Sequence, residues 1–210
     1  MYRQQRNYEN LNKAKFEGAG PYEIPILQKD NVSADLFVGF NYAKSCKNPA
    51  DKGLHFFVDD YQFLRIWTNP DAYLQLLSRF KLVCTPDSSL YTDFPPAIQI
   101  YNHYRKHWIG AYLQWHGIKV IPTIAWSDEN SLEWCFDGEP KGGSVIISSV
   151  GTQANVESIR LFKLGYEEML RRLEPTKIYL YGRIPIGCED SRIERIPAFQ
   201  DELKRRTGTG

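Results

Sequence analysis

Three apolar runs in this chain are each followed, within three residues, by aspartate. The run at 54–58, LHFFV, leads into Asp59 and Asp60. The run at 82–84, LVC, leads through Thr85 and Pro86 into Asp87, Ser89, Tyr91 and Asp93. The run at 119–125, KVIPTIA, leads into Trp126 and Asp128. Two carboxylates whose pKa values are held apart can act as acid and base, or as nucleophile and acid, at a glycosidic carbon. Three carboxylates can hold Mg2+ or Mn2+ and support phosphodiester chemistry. They can also simply orient the amino and hydroxyl groups of a ligand. Aspartate is an ordinary turn and cap residue as well, which accounts for any one of these positions better than for the whole set. Asp59 and Asp87 are the strongest candidates for catalysis, followed by Asp60 and Asp93. Neighbouring side chains in a strand point to opposite faces, so a strand reaching this far would turn only one of Asp59 and Asp60 to the site.

The remaining candidates would contact a ligand. Asn41 stands at the end of the apolar run 36–42. Tyr91, Trp126 and Tyr181 offer rings and hydroxyls, and Arg105 and Arg183 offer guanidinium groups for a phosphate or carboxylate. Gln114 and Asp128 complete the set. His103 and His107 lie four residues apart on one helical pattern. They lack the glutamate of an HExxH motif, so the pair is set aside and no metal ligand is assigned. A divalent cation enters only under a nuclease reading. No Walker loop, GxGxxG, GxSxG or zinc-deaminase pattern is present.

The elements that must position these residues follow from periodicity. Strands are expected at 36–42, 54–58, 82–85, 119–125, 144–150 and 177–181. Helices are expected at 71–80, 97–116 and 156–173, the last two by three-four spacing of apolar residues. The stretch 131–136 fits a short helix or a strand equally. Strand followed by helix, repeated, implies an α/β fold with a mainly parallel sheet and right-handed crossovers. In such a sheet all the polar strand ends share one face. A small or incomplete β/α barrel is favoured over an open doubly wound sheet, since one strand after another ends in a polar signature. Residues 1–30 read as an irregular N-terminal arm, with PYEIPILQ at 21–28 covering the bottom of a barrel or edging a sheet. Residues 31–187 read as a single α/β domain, and 188–210 as a charged extension with a helical piece between 191 and 206.

Bulk properties exclude several classes. A net charge of +1 argues against a strong footprint for duplex DNA or an anionic membrane. Four cysteines, none in CxxC spacing, point to a reducing, cytoplasmic setting. No apolar run approaches a membrane span, and the first residues, MYRQQRNYEN, lack a signal-peptide core. Aromatics at 14% supply a rich core, or a pocket lined with rings suited to a base or sugar face.

The series HFFVDDYQFLRIW, TPDSSLY, IQIYNHYRKHWIGAYLQ, VIPTIAW, CFDGEPKG, SSVGT and IYLYG resembles the domain-of-unknown-function family 4417, over 36–182. Ser88 departs from the aromatic residue expected after Pro-Asp. The resemblance brings no established activity; it implies a phage or mobile-element setting, with nucleic acid, nucleotides or host defence as targets. The order of strand-end motifs is also similar, at the level of fold, to the guanine transglycosylase barrels, whose aspartates act at an N-glycosidic bond; their zinc-binding cysteine cluster has no counterpart here. The expectation is an enzyme acting on a nucleoside, nucleotide or nucleic-acid base through strand-end aspartates. The alternatives are a metal-dependent nuclease and a binding protein that sequesters a nucleotide or a host component.

Overall fold

A computed structural model describes residues 16–198. A small antiparallel hairpin comes first, β1 (Gly18–Ala19) with β2 (Ile24–Pro25). Seven parallel strands follow: β3 (Leu36–Gly39), β4 (Lys52–His55), β5 (Leu82–Cys84), β6 (Val120–Ile121), β7 (Ser144–Ser148), β8 (Lys177–Tyr181) and β9 (Ile193–Ile196). They form two sheets, β3-β4-β5-β6 and β7-β8-β9. A single parallel bridge between Thr123 and Ile146 joins them. Pro122 has no N–H to donate there; its carbonyl instead accepts from the Ile146 N–H at 2.9 Å.

The strands curl. The side chains of Leu82, Cys84, Ile121, Ile146 and Tyr179 pack in one interior with Ala34, Phe37 and Ile196. The Tyr179 hydroxyl of β8 accepts from the Ala34 N–H at 3.1 Å, and its ring lies 4.7 Å from Phe37 of β3. β3 and β8 are thus distant in pairing order and adjacent in space. Among the described residues no backbone pairing joins β9 to β3, so the barrel remains incomplete.

Four helices cover the outside: α1 (Asp60–Thr68), α2 (Asp71–Leu77), α3 (Pro96–Trp115) and α4 (Val156–Leu173). Phe63, Ile66 and Trp67 of α1 and Trp108, Tyr112 and Leu113 of α3 pack on Leu54, Val83 and Val120. Phe162, Tyr166 and Met169 of α4 pack on Val145, Ile147, Ile178 and Leu180. The Asn155 side chain caps α4 by accepting from the Ser158 N–H at 2.8 Å. Pro95 and Pro96 open α3, where their missing N–H groups cost nothing.

The six expected strands correspond to β3 through β8, most of them shorter than the apolar runs. Three differences stand out. Residues 60–68, given no helix in the sequence reading, form α1. The expected helical piece at 191–206 is instead the seventh strand over its described part, because parallel pairing with β8 takes up its backbone and Lys177 ion-pairs with Glu194 at 2.6 Å. The rest of that piece, like residues 1–15 of the expected arm, lies outside the described residues. Nor is the alternation regular. Only a 3₁₀ turn at Asn130–Glu133 stands between β6 and β7, and no helix stands between β8 and β9.

Candidate functional site: a cleft at the strand ends

The carboxyl ends of the strands open into a cleft of about 1010 Å³, which is where open and closed α/β sheets alike place their ligands. β3 contributes Gly39 and, just past it, Asn41. β4 ends at His55, and the chain then turns through Phe57 and Val58 into Asp59 and Asp60. The loop after β5 contributes Asp87, Ser89 and Tyr91. Ser148, Tyr181 and Ile196 close the ring from β7, β8 and β9. Both Asp59 and Asp60 line the cleft. The expectation that only one could do so fails because the strand ends at His55, and alternation no longer applies where α1 begins.

The β5 loop is held from two sides. The Asp60 carboxylate accepts from the Ser89 N–H at 3.1 Å and from the Ser89 hydroxyl at 2.8 Å. From α3, Asn102 Nδ2 donates to the Ser89 carbonyl at 2.7 Å, and Arg105 Nη2 donates to Asn102 Oδ1 at 2.5 Å. Between these clamps sits Asp87. Burial raises its carboxyl to about 7, Asp60 adds to the rise, and Lys106 from α3 opposes it. No hydrogen bond contributes to the shift. Asp60 is therefore committed to a loop, whereas Asp87 is a half-buried acid that changes charge near neutrality.

The opposite lining is aromatic. Tyr181 stacks on Phe57 at 4.8 Å and 22°, and lies 5.0 Å from the His55 ring. Burial lowers His55 to about 4, so its imidazole is neutral at pH 7. His55 Nδ1 accepts from the Phe57 N–H at 3.2 Å, which leaves the ring hydrogen on Nε2. Tyr91, exposed, meets Phe94 edge-on at the rim.

Of the sequence candidates, Asn41, Asp59, Asp60, Asp87, Tyr91 and Tyr181 meet in this cleft. The other six lie elsewhere. Asp93 is exposed in the turn before α3. Arg105 lines a smaller cavity of about 250 Å³ with Trp67 and Ile109, which Asp60 also borders. Gln114 sits near the far end of α3, where its amide exchanges two hydrogen bonds with the Gln28 backbone. Trp126 lies against Gly165 of α4 and donates to the Leu161 carbonyl at 3.1 Å. Asp128 caps the 3₁₀ turn through the Ser131 N–H. Arg183 is exposed, and its carbonyl accepts from the Ser149 hydroxyl at 2.6 Å.

His55 and Phe57 are among the cleft residues that the sequence reading did not name. Their signal was present: both lie within the apolar run 54–58 that leads into two aspartates. Lys106 carried no signal, being one more cation on a helix.

An α/β protein with a curled parallel sheet and a polar, ring-lined cleft at its strand ends is thus defined by geometry alone. The chain belongs to the family described as a domain of unknown function, DUF4417, whose model matches residues 16–200. It is 35% identical over 202 residues to the Gene 1 protein of Mycobacterium phage L5, covering 95% of this chain and 88% of that protein. It is 34% identical over 202 residues to the Gene 1 protein of Mycobacterium phage D29, covering 95% of this chain and 74% of that protein. Both relatives being phage proteins supports a phage origin. No solved structure matches. Among the described residues no helix is long and apolar enough to cross a membrane.

Proposed function

We propose that the strand-end cleft binds a nucleoside, a nucleotide or a base within a nucleic acid, and that the protein cleaves or exchanges its N-glycosidic bond. The observation that carries this reading is the meeting of Asp59, Asp60 and Asp87 in one cleft with the stacked pair Phe57 and Tyr181. The rings suit the face of a base. Asp87, protonated through much of the neutral range, would deliver its proton to the ring nitrogen that departs with the C1′–N electron pair. Asp59, exposed at the N-terminus of α1 with no side-chain cap bond, would face the positive charge that develops at C1′. Water, or an incoming base, then bonds to C1′ and gives up its proton to the Asp87 carboxylate. The order of strand-end motifs, similar at the level of fold to the transglycosylase barrels, points to the same substrate class as an analogy only.

The nuclease reading has less support. Among the described residues, the one group of three that brings ligand atoms within 4.8 Å of one another is His103, His107 and Glu139, and it includes none of the cleft aspartates.

The test incubates the purified chain with nucleosides, nucleotides and oligonucleotides in EDTA and follows free base by chromatography. Base release that falls at least about 100-fold in Asp87→Asn and in Asp59→Asn, with ligand affinity kept within about threefold, is the expected result. Turnover that both variants retain in full would overturn it. Activity that requires added Mg2+ would assign a nuclease, and a bound ligand recovered unchanged would assign a binding protein.

A further inference from the structure

A second constellation lies outside the cleft, between α3, the hairpin and the turn at 134–139. His103 and His107 project from successive turns of α3 with ring centroids 4.4 Å apart. Glu139 reaches them from the turn, and the side chains of His107 and Glu139 are wholly excluded from solvent. His103 is 1% exposed.

The outer nitrogens of both rings are fixed by backbone carbonyls. His103 Nε2 lies 3.1 Å from the Asp137 carbonyl, and His107 Nδ1 lies 2.8 Å from the Pro25 carbonyl. A carbonyl can only accept, so each of these nitrogens carries a hydrogen. The inner nitrogens, His103 Nδ1 and His107 Nε2, are then the ones left to present lone pairs. An outer N–H anchored on a carbonyl is the usual arrangement behind a metal-bound histidine. Gly138 makes the approach possible: its φ is +75°, and a Cβ there would stand 2.6 Å from the Pro25 carbonyl and 2.9 Å from His107 Nδ1.

The inner atoms are under-satisfied. His103 Nδ1 and Glu139 Oε2 are both buried with no hydrogen-bond partner among the described residues. Both are acceptors, so neither can satisfy the other. Glu139 Oε1 takes Lys106 Nζ at 2.8 Å and lies 2.8 Å from His107 Nε2. With Nδ1 already protonated, His107 can meet that oxygen only through a second ring hydrogen or through a shared cation. Burying an acceptor without a donor is unfavourable, and one ligand atom from each of His103, His107 and Glu139 lies within 4.8 Å of the others, so the cluster calls for something positive at its centre.

We propose that His103 Nδ1, His107 Nε2 and Glu139 form a buried site for a divalent transition metal of the zinc class. Two imidazoles and a carboxylate suit Zn2+ and its neighbours and do not suit Mg2+ or Ca2+. Lys106 stays on Oε1, bonded also to the Thr123 carbonyl at 2.8 Å, and orients the carboxylate. The site is closed to solvent, as structural metal sites are. It ties α3 to the 134–139 turn and, through Pro25, to the hairpin. Sequence alone passed over the histidine pair because the third ligand comes 32 residues after His107.

The test uses the full chain without a histidine tag, stripped with a chelator and then given Co2+ or Zn2+. One equivalent of metal by elemental analysis and the visible absorption bands of low-coordinate Co2+ are expected. Thermal stability should rise on loading, and binding should weaken at least 100-fold in His103→Gln and in His107→Gln. Should the wild-type chain take up no metal, the orphaned atoms hold water and the proposal falls, whatever the variants do. It also falls if both histidine variants bind as wild type, or if Mg2+ competes with Co2+ at equal concentration.

Discussion

Asp87 is the residue whose surroundings matter most. Its carboxyl, at about 7 in the fold against roughly 4 in an unfolded chain, is easier to protonate when the protein is folded. The stability that this difference contributes is fully present below about pH 4. It is lost as pH rises through 7, where a charge must be borne beside Asp60. Asp87→Asn is therefore expected to raise the melting temperature at pH 8, by a gain of up to about 4 kcal/mol, and to change it little at pH 4. Paired melting curves at the two pH values measure this; a variant equally stable or less stable than wild type at pH 8 would show that the buried charge is not the issue. The identity of Asp87 was legible in the sequence because an apolar run and a proline deliver it. Its balance was not, since Asp60 lies 27 positions away and Lys106 sits in the polar-looking part of a helix.

At the scale of elements, α3 shows how much periodicity reveals and hides. Its apolar three-four spacing marks the helix, and Trp108 and Tyr112 of that stripe are buried, although Trp115 is 68% exposed. The other side of the helix is buried too, and it is polar: Gln99, Asn102, His103, Lys106 and His107 are each under 5% exposed. No apolar pattern marks such a face, because hydrogen bonds to loops rather than packing hold it. β9 was hidden in a similar way, its two isoleucines flanking Glu194 and Arg195. α4 offers a test of element packing. A Cβ at Gly165 would stand 2.3 Å from the Trp126 indole, itself fixed by its bond to the Leu161 carbonyl. Gly165→Ala gains about 1 kcal/mol of helix propensity, but forcing a methyl into rigid contact costs typically 1–3 kcal/mol or more. The variant is expected to be destabilised by about 1–2 kcal/mol in urea unfolding. A gain in stability would mean that α4 rides free of Trp126.

In the molecule as a whole, six of the seven parallel strands, all but β6, bring residues from 35 to 198 to the rim of one cleft. The parallel fold and the shared strand-end face were readable from the order of apolar runs and polar ends. The degree of closure was not, because it depends on Tyr179, a ring inside a strand, reaching across to Ala34 and Phe37. That reach has a dynamic consequence. β3 and β9 are held to the rest of the curl on one side by amide ladders and across the interior by side chains. Amides of β3 should therefore exchange with deuterium sooner than those of β5 and β8, each paired on both sides. Equal protection across all seven strands, read by mass spectrometry, would contradict this. If the outer strands do breathe, the width of the cleft mouth varies with them, and a long, threaded polymer and a compact monomer would meet different entrances to the same cleft floor.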